Sequence, residues 1–168
     1  MEKTVLRVRI AGEPVLRKKA HIVKKITDEH RKLLSQMAQI MYSSSGIGLA
    51  APQVGESLAL IVVDIGDGLY KLINPCIVKK QGSQVIEEGC LSVPGISIKV
   101  KRAKKIHLKA LDENGKPLNI KAEDLFACVI QHEIDHLNGK LIIDYASIIQ
   151  KIKLKKKIAA LEKKAMMI

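Results

Sequence analysis

Apolar and polar positions recur at helical spacing in the first third of the chain. Thr27 is a residue type that caps helices, and Asp28 and Glu29 place acidic side chains in the turn that would follow. Apolar residues then recur every three or four positions, at Leu33, Leu34, Met37, Ile40 and Met41. This spacing predicts one amphipathic helix that runs to about Tyr42 and ends at a cluster of serines and glycines.

Shorter apolar runs in the middle of the chain predict β-strands. They occupy LALIVVDI (residues 58–65), LYKLINP (69–75), a short segment around Val85, and ISIKVK (96–101). KIHLKALDENGKPLNI (105–120) predicts a hairpin, because Asn114-Gly115 suits a tight turn between two extended arms. Pro117 places the return arm near the edge of a sheet.

Two further helices are predicted in the last third of the chain. EDLFACVIQHEIDHLNG (123–139) is apolar on nearly every side, so this helix belongs inside the protein. KIKLKKKIAALEKKA (151–165) predicts a basic helix that docks through one apolar stripe and keeps its lysines in water. The stripe consists of Leu154, Ile158, Leu161 and Ala165.

The order of these elements predicts an α+β fold. We expect mainly antiparallel sheets packed around the buried central helix that carries HEIDH, with the amphipathic helix in the N-terminal half. A chain of 168 residues with 47% hydrophobic residues suits one domain over residues 1–168. Residues 146–168 would form its lysine-rich C-terminal helix.

Composition and charge narrow the classes of function. No apolar run approaches the roughly 20 residues of a membrane span, and the first residues lack the apolar stretch of a secretory signal, which favours a soluble, cytosolic protein. Three cysteines cannot all pair within one chain, so free thiols or metal ligands are expected. The net charge of +12 permits an anionic partner, but three tyrosines, one phenylalanine and no tryptophan offer RNA few stacking surfaces.

The glycine-rich stretch SSSGIGLAAPQVG (43–55) is not a nucleotide-binding loop. The dinucleotide pattern T-G-x-x-x-G-I-G would need threonine and glycine where Met41 and Tyr42 stand, and a strand where a helix is predicted. The stretch therefore predicts a turn that needs glycine dihedral angles. Gln53, which follows a rigid proline, is a hydrogen-bonding side chain suited to lining a cleft.

HEIDH, from His132 to His136, fits the H-E-x-x-H pattern of helical metal sites. Four residues are slightly more than one helical turn, so both imidazoles project from one face toward a single ion, with Glu133 beside it. Two histidines and two acids inside a buried helix are costly unless a metal or a wet cleft receives them. The pattern therefore predicts a metal site.

The third ligand decides the class of site. The metzincin pattern fails because Ile142 stands where its last histidine belongs, and the gluzincin pattern leaves only Glu162, in the lysine-rich end. Cys90, in EEGCLSVPG, and Cys128, four residues before the first histidine, are the other candidates. Both cysteines together would close the site as a structural zinc, whereas one thiolate leaves a position for water. Core packing is the usual fate of a helix cysteine, and we expect it for Cys128 and also for Cys76.

Three stretches, taken in chain order, closely resemble the motifs of the peptide deformylase family. They are GIGLAAPQ (46–53), EGCLS (88–92) and QHEIDH (131–136). The resemblance extends from about Val5, through GEPVLR and LINP, to about Tyr145. Peptide deformylases are metal amidases that remove the N-terminal formyl group from newly made proteins, so the resemblance implies this activity.

The resemblance also implies the metal ligands and the catalytic acid-base group. Cys90, His132 and His136 would bind one divalent ion, most commonly Fe²⁺, with Zn²⁺, Ni²⁺ or Co²⁺ as alternatives. Hydroxide held by that ion would attack the formyl carbon, while Glu133 acts as general base and then general acid.

The same resemblance implies how the substrate is held. Gln53 and the backbone N–H of Leu91 would face the oxyanion, and Gly48 would lie along the bound peptide. The implied substrates are N-formylmethionyl peptides and nascent chains, in a bacterial cytosol or an organelle interior. The basic C-terminal helix is a candidate ribosome contact, and no membrane partner is expected.

Two alternatives to this function stay open from the sequence. One is a zinc endopeptidase that takes Glu162 as its third ligand. The other is a non-enzymatic RNA-binding module, in which a closed site of two cysteines and two histidines holds a structural zinc.

Overall fold

The computed structural model describes residues 6–168, so Val5 lies outside the described residues. The helices are α1 (Asp28–Ser43), α2 (Asp124–Leu137) and α3 (Ile148–Met166). The strands are β1 (Gly48–Ala50), β2 (Leu60–Val63), β3 (Tyr70–Gln81), β4 (Gln84–Glu88), β5 (Ile98–Arg102), β6 (Lys105–Leu111) and β7 (Pro117–Glu123). Short 3-10 turns occupy Pro14–Arg17, Ala51–Val54 and Ile142–Tyr145.

The strands form two antiparallel sheets. Five of them are ordered β1-β2-β3-β6-β7, and β4 pairs with β5 alone. Strand β7 is at an edge, where the missing N–H of Pro117 costs no ladder hydrogen bond, as predicted. The architecture is the predicted α+β fold.

Helix α2 is the buried centre of the molecule. It packs against β1, β2, β5, β6 and β7, and Ala127, Ile130 and Leu137 join the core between it and the larger sheet. The helix ends at Leu137. Gly139, two residues later, has a φ of 72° and lies so close to Arg17 that a Cβ would stand 2.6 Å from the Arg17 carbonyl oxygen. The predicted central helix and its glycine stop are confirmed.

Helix α1 matches its predicted span to within a residue or two. Its cap is Thr27, whose backbone N–H donates to Nδ1 of His30 at 3.1 Å. Its buried side chains, Leu34, Met37 and Met41, pack against the apolar face formed by β1 and β2. The glycine-rich stretch begins where this helix ends, at Ser43.

The glycine-rich stretch is more regular than predicted. Besides a turn it contains β1, in which Gly48 pairs with Val63 of β2, and a short 3-10 helix that carries Gln53. The strand was missed because three residues with a glycine at one end give no alternating pattern. Strand β1 brings this stretch alongside α2.

The predicted hairpin is present as β6 and β7, with a connection longer than two residues, whereas the prediction that Cys76 packs in the core is wrong. Five residues, 112–116, connect β6 to β7, and the turn within them runs from Asp112 to Gly115, whose N–H donates to the Asp112 carbonyl at 3.0 Å. The Asp112 carboxylate accepts the N–H groups of Asn114 and Lys116 and so fixes the longer connection. Cys76 is exposed rather than packed in the core, since β3 is irregular there and breaks its register with β6.

Helix α3 docks as predicted, through a stripe whose members are all half-buried. The stripe is Leu154, Ile158, Leu161 and Ala165. The helix begins at Ile148, two residues after the predicted start at 146, and the hydroxyl of Ser147 accepts the N–H of Gln150 at 3.2 Å. It crosses Gly12 so closely that a Cβ there would stand 2.7 Å from Cα of Glu162. Across residues 6–168, no helix is both long enough and apolar enough to cross a membrane.

Candidate metal centre

One thiol and two imidazoles converge at the side of α2. His132 and His136 project from the same face of the helix, and Cys90 reaches them from the loop after β4. The Nε2 atoms of the two histidines are 3.2 Å apart, and Cys90 Sγ is 3.4 Å from Nε2 of His136. The three donor atoms lie within 4.8 Å of one another, so the fold unites two motifs more than forty residues apart.

This arrangement fits one divalent ion. Bonds of roughly 2.0–2.1 Å to imidazole nitrogen and 2.3 Å to thiolate sulfur place the ligand atoms of a tetrahedral site roughly 3.4–3.6 Å apart. The measured separations of 3.2 and 3.4 Å are close to these values. A set of one sulfur and two nitrogens suits zinc or ferrous iron better than magnesium or calcium, which prefer oxygen.

Neither alternative third ligand joins this group within the described chain. Glu162 lies on α3 against Gly12, and Cys128 is buried on α2 without reaching the three donor atoms. The endopeptidase arrangement with Glu162 and the closed site with two cysteines are therefore wrong. Cys128 is in the protein interior as expected, and it is one of the residues that line the neighbouring cavity.

A buried carboxylate orients the first histidine. Oε2 of Glu88 is 2.9 Å from Nδ1 of His132, which leaves Nε2 directed at the centre. Arg102 donates hydrogen bonds to both carboxylate oxygens of Glu88, from Nε to Oε1 at 2.7 Å and from Nη2 to Oε2 at 2.8 Å. Burial raises the pKa of Glu88, but the hydrogen bonds from Arg102 and His132 outweigh it and lower the pKa to about 2. Glu88 is therefore an anion at any physiological pH.

The same arginine connects a second layer of polar groups. Its Nη1 donates to Asp135 at 2.6 Å and to the hydroxyl of Tyr145 at 3.1 Å, and that hydroxyl donates to Asp135 at 2.7 Å. Sequence reasoning missed Glu88, Arg102 and Tyr145. The sequence did contain a signal for Arg102, which alternates in phase with the inward-facing Ile98. The buried face of a strand rarely carries an unpaired charge, so an acidic partner for this arginine could have been inferred.

Glu133 lies beside the three donor atoms, in an apolar setting. Its side chain is 3% exposed, and its Oε2 has no hydrogen-bond partner among residues 6–168. Burial raises the pKa of Glu133 to about 7. Gly48 makes room for this carboxyl, because a Cβ at that position would stand 2.9 Å from Cδ of Glu133.

A cavity of about 460 Å³ opens in front of these groups. Gly48, Gln53 and Leu91, the three residues expected to contact substrate, all line it. Gln53 is 1% exposed; its Oε1 accepts the N–H of Ala50 at 2.9 Å, and its Nε2 lies 3.6 Å from Cys90 Sγ. The cavity wall beyond them is formed mainly by apolar groups, including Ile47, Ile86, Leu125, Cys128 and Val129.

Comparison with known proteins agrees with this geometry. The family model described as Polypeptide deformylase matches residues 5–152. A peptide deformylase of Halothermothrix orenii is 52% identical over 142 residues, which are 83% of this chain and 92% of that protein. One of Thermoanaerobacter pseudethanolicus is 52% identical over 139 residues, covering 83% and 87% of the two chains.

Solved structures give the same result. The crystal structure of a peptide deformylase from Legionella pneumophila superposes with a TM-score of 0.89 at 40% identity, covering 95% of this chain and 96% of that one. That of peptide deformylase from Thermus thermophilus gives a TM-score of 0.91 at 34% identity and covers 96% and 99%. The chain belongs to the polypeptide deformylase family, metal-dependent hydrolases that remove the N-terminal formyl group from nascent polypeptides.

Proposed function

We propose that this chain performs the family's reaction with Cys90, His132 and His136 holding Fe²⁺ as the native ion. The observation that supports this most is the convergence of one thiol and two imidazole nitrogens beside the buried carboxyl of Glu133. A thiolate donates more charge than an imidazole and makes the bound ion a softer Lewis acid, which suits ferrous iron as well as zinc.

Glu133 is the proposed proton carrier. A divalent ion at this centre would supply Lewis acidity, which lowers the pKa of a coordinated water toward about 7. Glu133 accepts the proton of the attacking water and delivers it to the nitrogen of the departing amine. Its position supports this role, because it lies one residue from a ligand and borders the cavity that receives the formamide.

Gln53 and Leu91 are the proposed oxyanion donors. As water adds to the formyl carbon, the carbonyl oxygen becomes negative, and the Gln53 amide and the backbone N–H of Leu91 stabilise that charge. One such donor is typically worth about a hundredfold in rate. Gly48 is proposed to lie along the peptide, at a point where β1 runs beside Glu133.

Metal analysis together with an activity assay tests this proposal. Protein purified without oxygen is expected to carry about one iron per chain and to release formate from formyl-methionyl peptides. The same peptides without the formyl group are expected to stay intact, because the site acts on the terminal formamide. Stoichiometric zinc with no iron would contradict the metal assignment, and cleavage of internal peptide bonds would contradict the reaction.

We further propose that the protein acts in the bacterial cytosol and contacts the ribosome through α3. The support is the row of exposed lysines on α3, beside three exposed isoleucines, Ile148, Ile149 and Ile152. Replacing Lys153, Lys156 and Lys157 with glutamine removes charge without disturbing the docking stripe. Co-sedimentation of this variant with ribosomes is expected to weaken and to lose much of its salt dependence.

A matched control separates a local contact from general charge. Lys79, Lys80 and Lys121 are equally exposed but lie on the strands of the larger sheet. Replacing these three with glutamine lowers the net charge by the same amount and is expected to leave co-sedimentation unchanged. Equal losses in both triple variants, or deletion of residues 151–168 without effect, would contradict the α3 contact.

A further inference from the structure

Ser92 is a fully buried polar residue two positions after the cysteine ligand. Its hydroxyl oxygen accepts a hydrogen bond from Nε2 of Gln53 at 3.1 Å. It lies behind Gln53 and is absent from the lining of the cavity, so substrate does not reach it. Buried polar groups are usually hydrogen-bonded, and the partner of this hydroxyl is a proposed oxyanion donor, which indicates a role for Ser92 in the reaction.

The hydrogen bonds of Gln53 determine how its amide is turned. Its Oε1 accepts the backbone N–H of Ala50 at 2.9 Å, which directs Nε2 the other way. A primary amide nitrogen has two N–H groups. Ser92 accepts one of them, and the other is directed at the metal centre, where it donates to Cys90 Sγ at 3.6 Å. The hydroxyl of Ser92 thus holds the amide with its second N–H facing the metal centre, next to the groups that react.

The backbones of the two residues are held by one segment near the start of the chain. The N–H of Arg9 donates to the carbonyl of Gln53 at 2.7 Å, and the N–H of Ala11 donates to the carbonyl of Ser92 at 2.8 Å. Because a short stretch of chain anchors both partners, the distance between their side chains is set by the fold rather than by the substrate. This is the preorganisation that a donor to a developing charge needs.

We propose that Ser92 is a positioning residue for the reaction, which acts by orienting the amide of Gln53 toward the oxyanion. The inference rests on the proposed role of Gln53 as an oxyanion donor. Without the hydroxyl, one N–H of Gln53 has no acceptor in its buried setting, and the amide can turn away from the carbonyl oxygen. Because the misplaced donor matters most when charge has developed, kcat falls while KM stays nearly constant.

A double-mutant cycle tests this inference. Ser92→Ala is expected to lower kcat about tenfold and Gln53→Ala about a hundredfold, both with metal content unchanged. In the Gln53→Ala protein, adding Ser92→Ala is expected to change kcat by less than about twofold, since the group it orients is gone. A merely structural serine would lower kcat by the same factor in both backgrounds.

The possible outcomes distinguish a failure of the role inferred for Ser92 from a failure of the oxyanion role proposed for Gln53. If Gln53→Ala leaves kcat unchanged, the oxyanion role of Gln53 fails. If Gln53→Ala lowers kcat but Ser92→Ala does not, or if the two effects multiply, the role of Ser92 fails. Should Ser92→Ala not fold, Ser92→Cys keeps a weak acceptor of similar size and is expected to lower kcat by a smaller factor, in the Gln53 background only.

Val93→Ala serves as the matched control. Val93 is the next residue and equally buried, but it packs in the apolar cluster with Ile96 and Ile98 and does not border the cavity. Its truncation creates a void in the same loop, so the thermal midpoint is expected to fall while kcat and metal content stay constant. A loss of kcat in this control equal to that of Ser92→Ala would show that loosening the loop is enough.

Discussion

Glu133→Ala is expected to lower the deformylation turnover about a thousandfold while the metal stays bound. The side chain borders the cavity beside the three donor atoms but is not one of them, so its loss removes the proton carrier and spares the ligands. Its Oε2 is buried without a partner in the described structure, and removing a group of this kind leaves no other polar group unpaired. Initial rates on a formyl-methionyl peptide, with the metal-to-protein ratio of the same sample, measure both effects.

The isosteric variant Glu133→Gln provides the control for shape. It fills the same space beside Gly48 and cannot accept a proton, so we expect a loss of turnover close to that of Glu133→Ala. The thermal midpoint of the alanine variant should be no lower than that of the unmodified protein, because burial of this carboxyl opposes folding. Turnover within tenfold of the unmodified protein in both variants would remove Glu133 from its proposed role.

Cys90→Ala is expected to lose both the metal and the activity. Two imidazoles on one helix face remain in this variant, and a pair of ligands holds a divalent ion far more weakly than three. After dialysis against a chelator, the metal content is expected to fall below about a tenth of an ion per chain, and deformylation to background. Elemental analysis and the formate assay give the two readouts on one preparation.

Cys128→Ala is the matched control, because it removes a thiol from the same helix that carries both histidines. Cys128 is buried and stays outside the donor group, so the variant is expected to keep its metal and its turnover. Its main effect is a small void in the cavity wall. Full metal occupancy in Cys90→Ala, or loss of metal in Cys128→Ala, would contradict the ligand assignment.

The sequence predicted those parts of the fold that have a long, regular period. Helices α1 and α2 carry enough repeats of the helical spacing for their bounds to be correct within about two residues. Strand β1 was not predicted, because its extended conformation depends on pairing with β2, which is a tertiary contact. The irregular register that exposes Cys76 is also set by a neighbouring strand rather than by local sequence.

The candidate site was predictable in part for the same reason. Spacing along a helix fixes the relation of His132 to His136, so the residues themselves indicated a shared ion. The distance from a loop to that helix is a property of the whole fold, and spacing alone left Cys90, Cys128 and Glu162 as competitors. The resemblance of three motifs to one family favoured Cys90, and the structure brings its sulfur to the histidines.

The polar groups around the ligands were missed because their partners are remote in sequence. Glu88 and Arg102 lie on paired strands, and Asp135 lies on α2, so no local pattern joins them. In the sequence, Ser92 stands out only as a member of the EGCLS motif. Its hydrogen bond to Gln53 joins residues 39 positions apart and becomes visible only once both are folded.

The buried ion pairs around Arg102 have a consequence for the charge that the centre can balance. The carboxylates of Glu88 and Asp135 share one guanidinium, so this cluster carries one net negative charge, and the thiolate of Cys90 adds another. These two negative charges balance a divalent ion in a poorly solvated interior, where uncompensated charge is expensive. The polar groups around the ligands thus suit a dication in charge, as the ligands do in donor type.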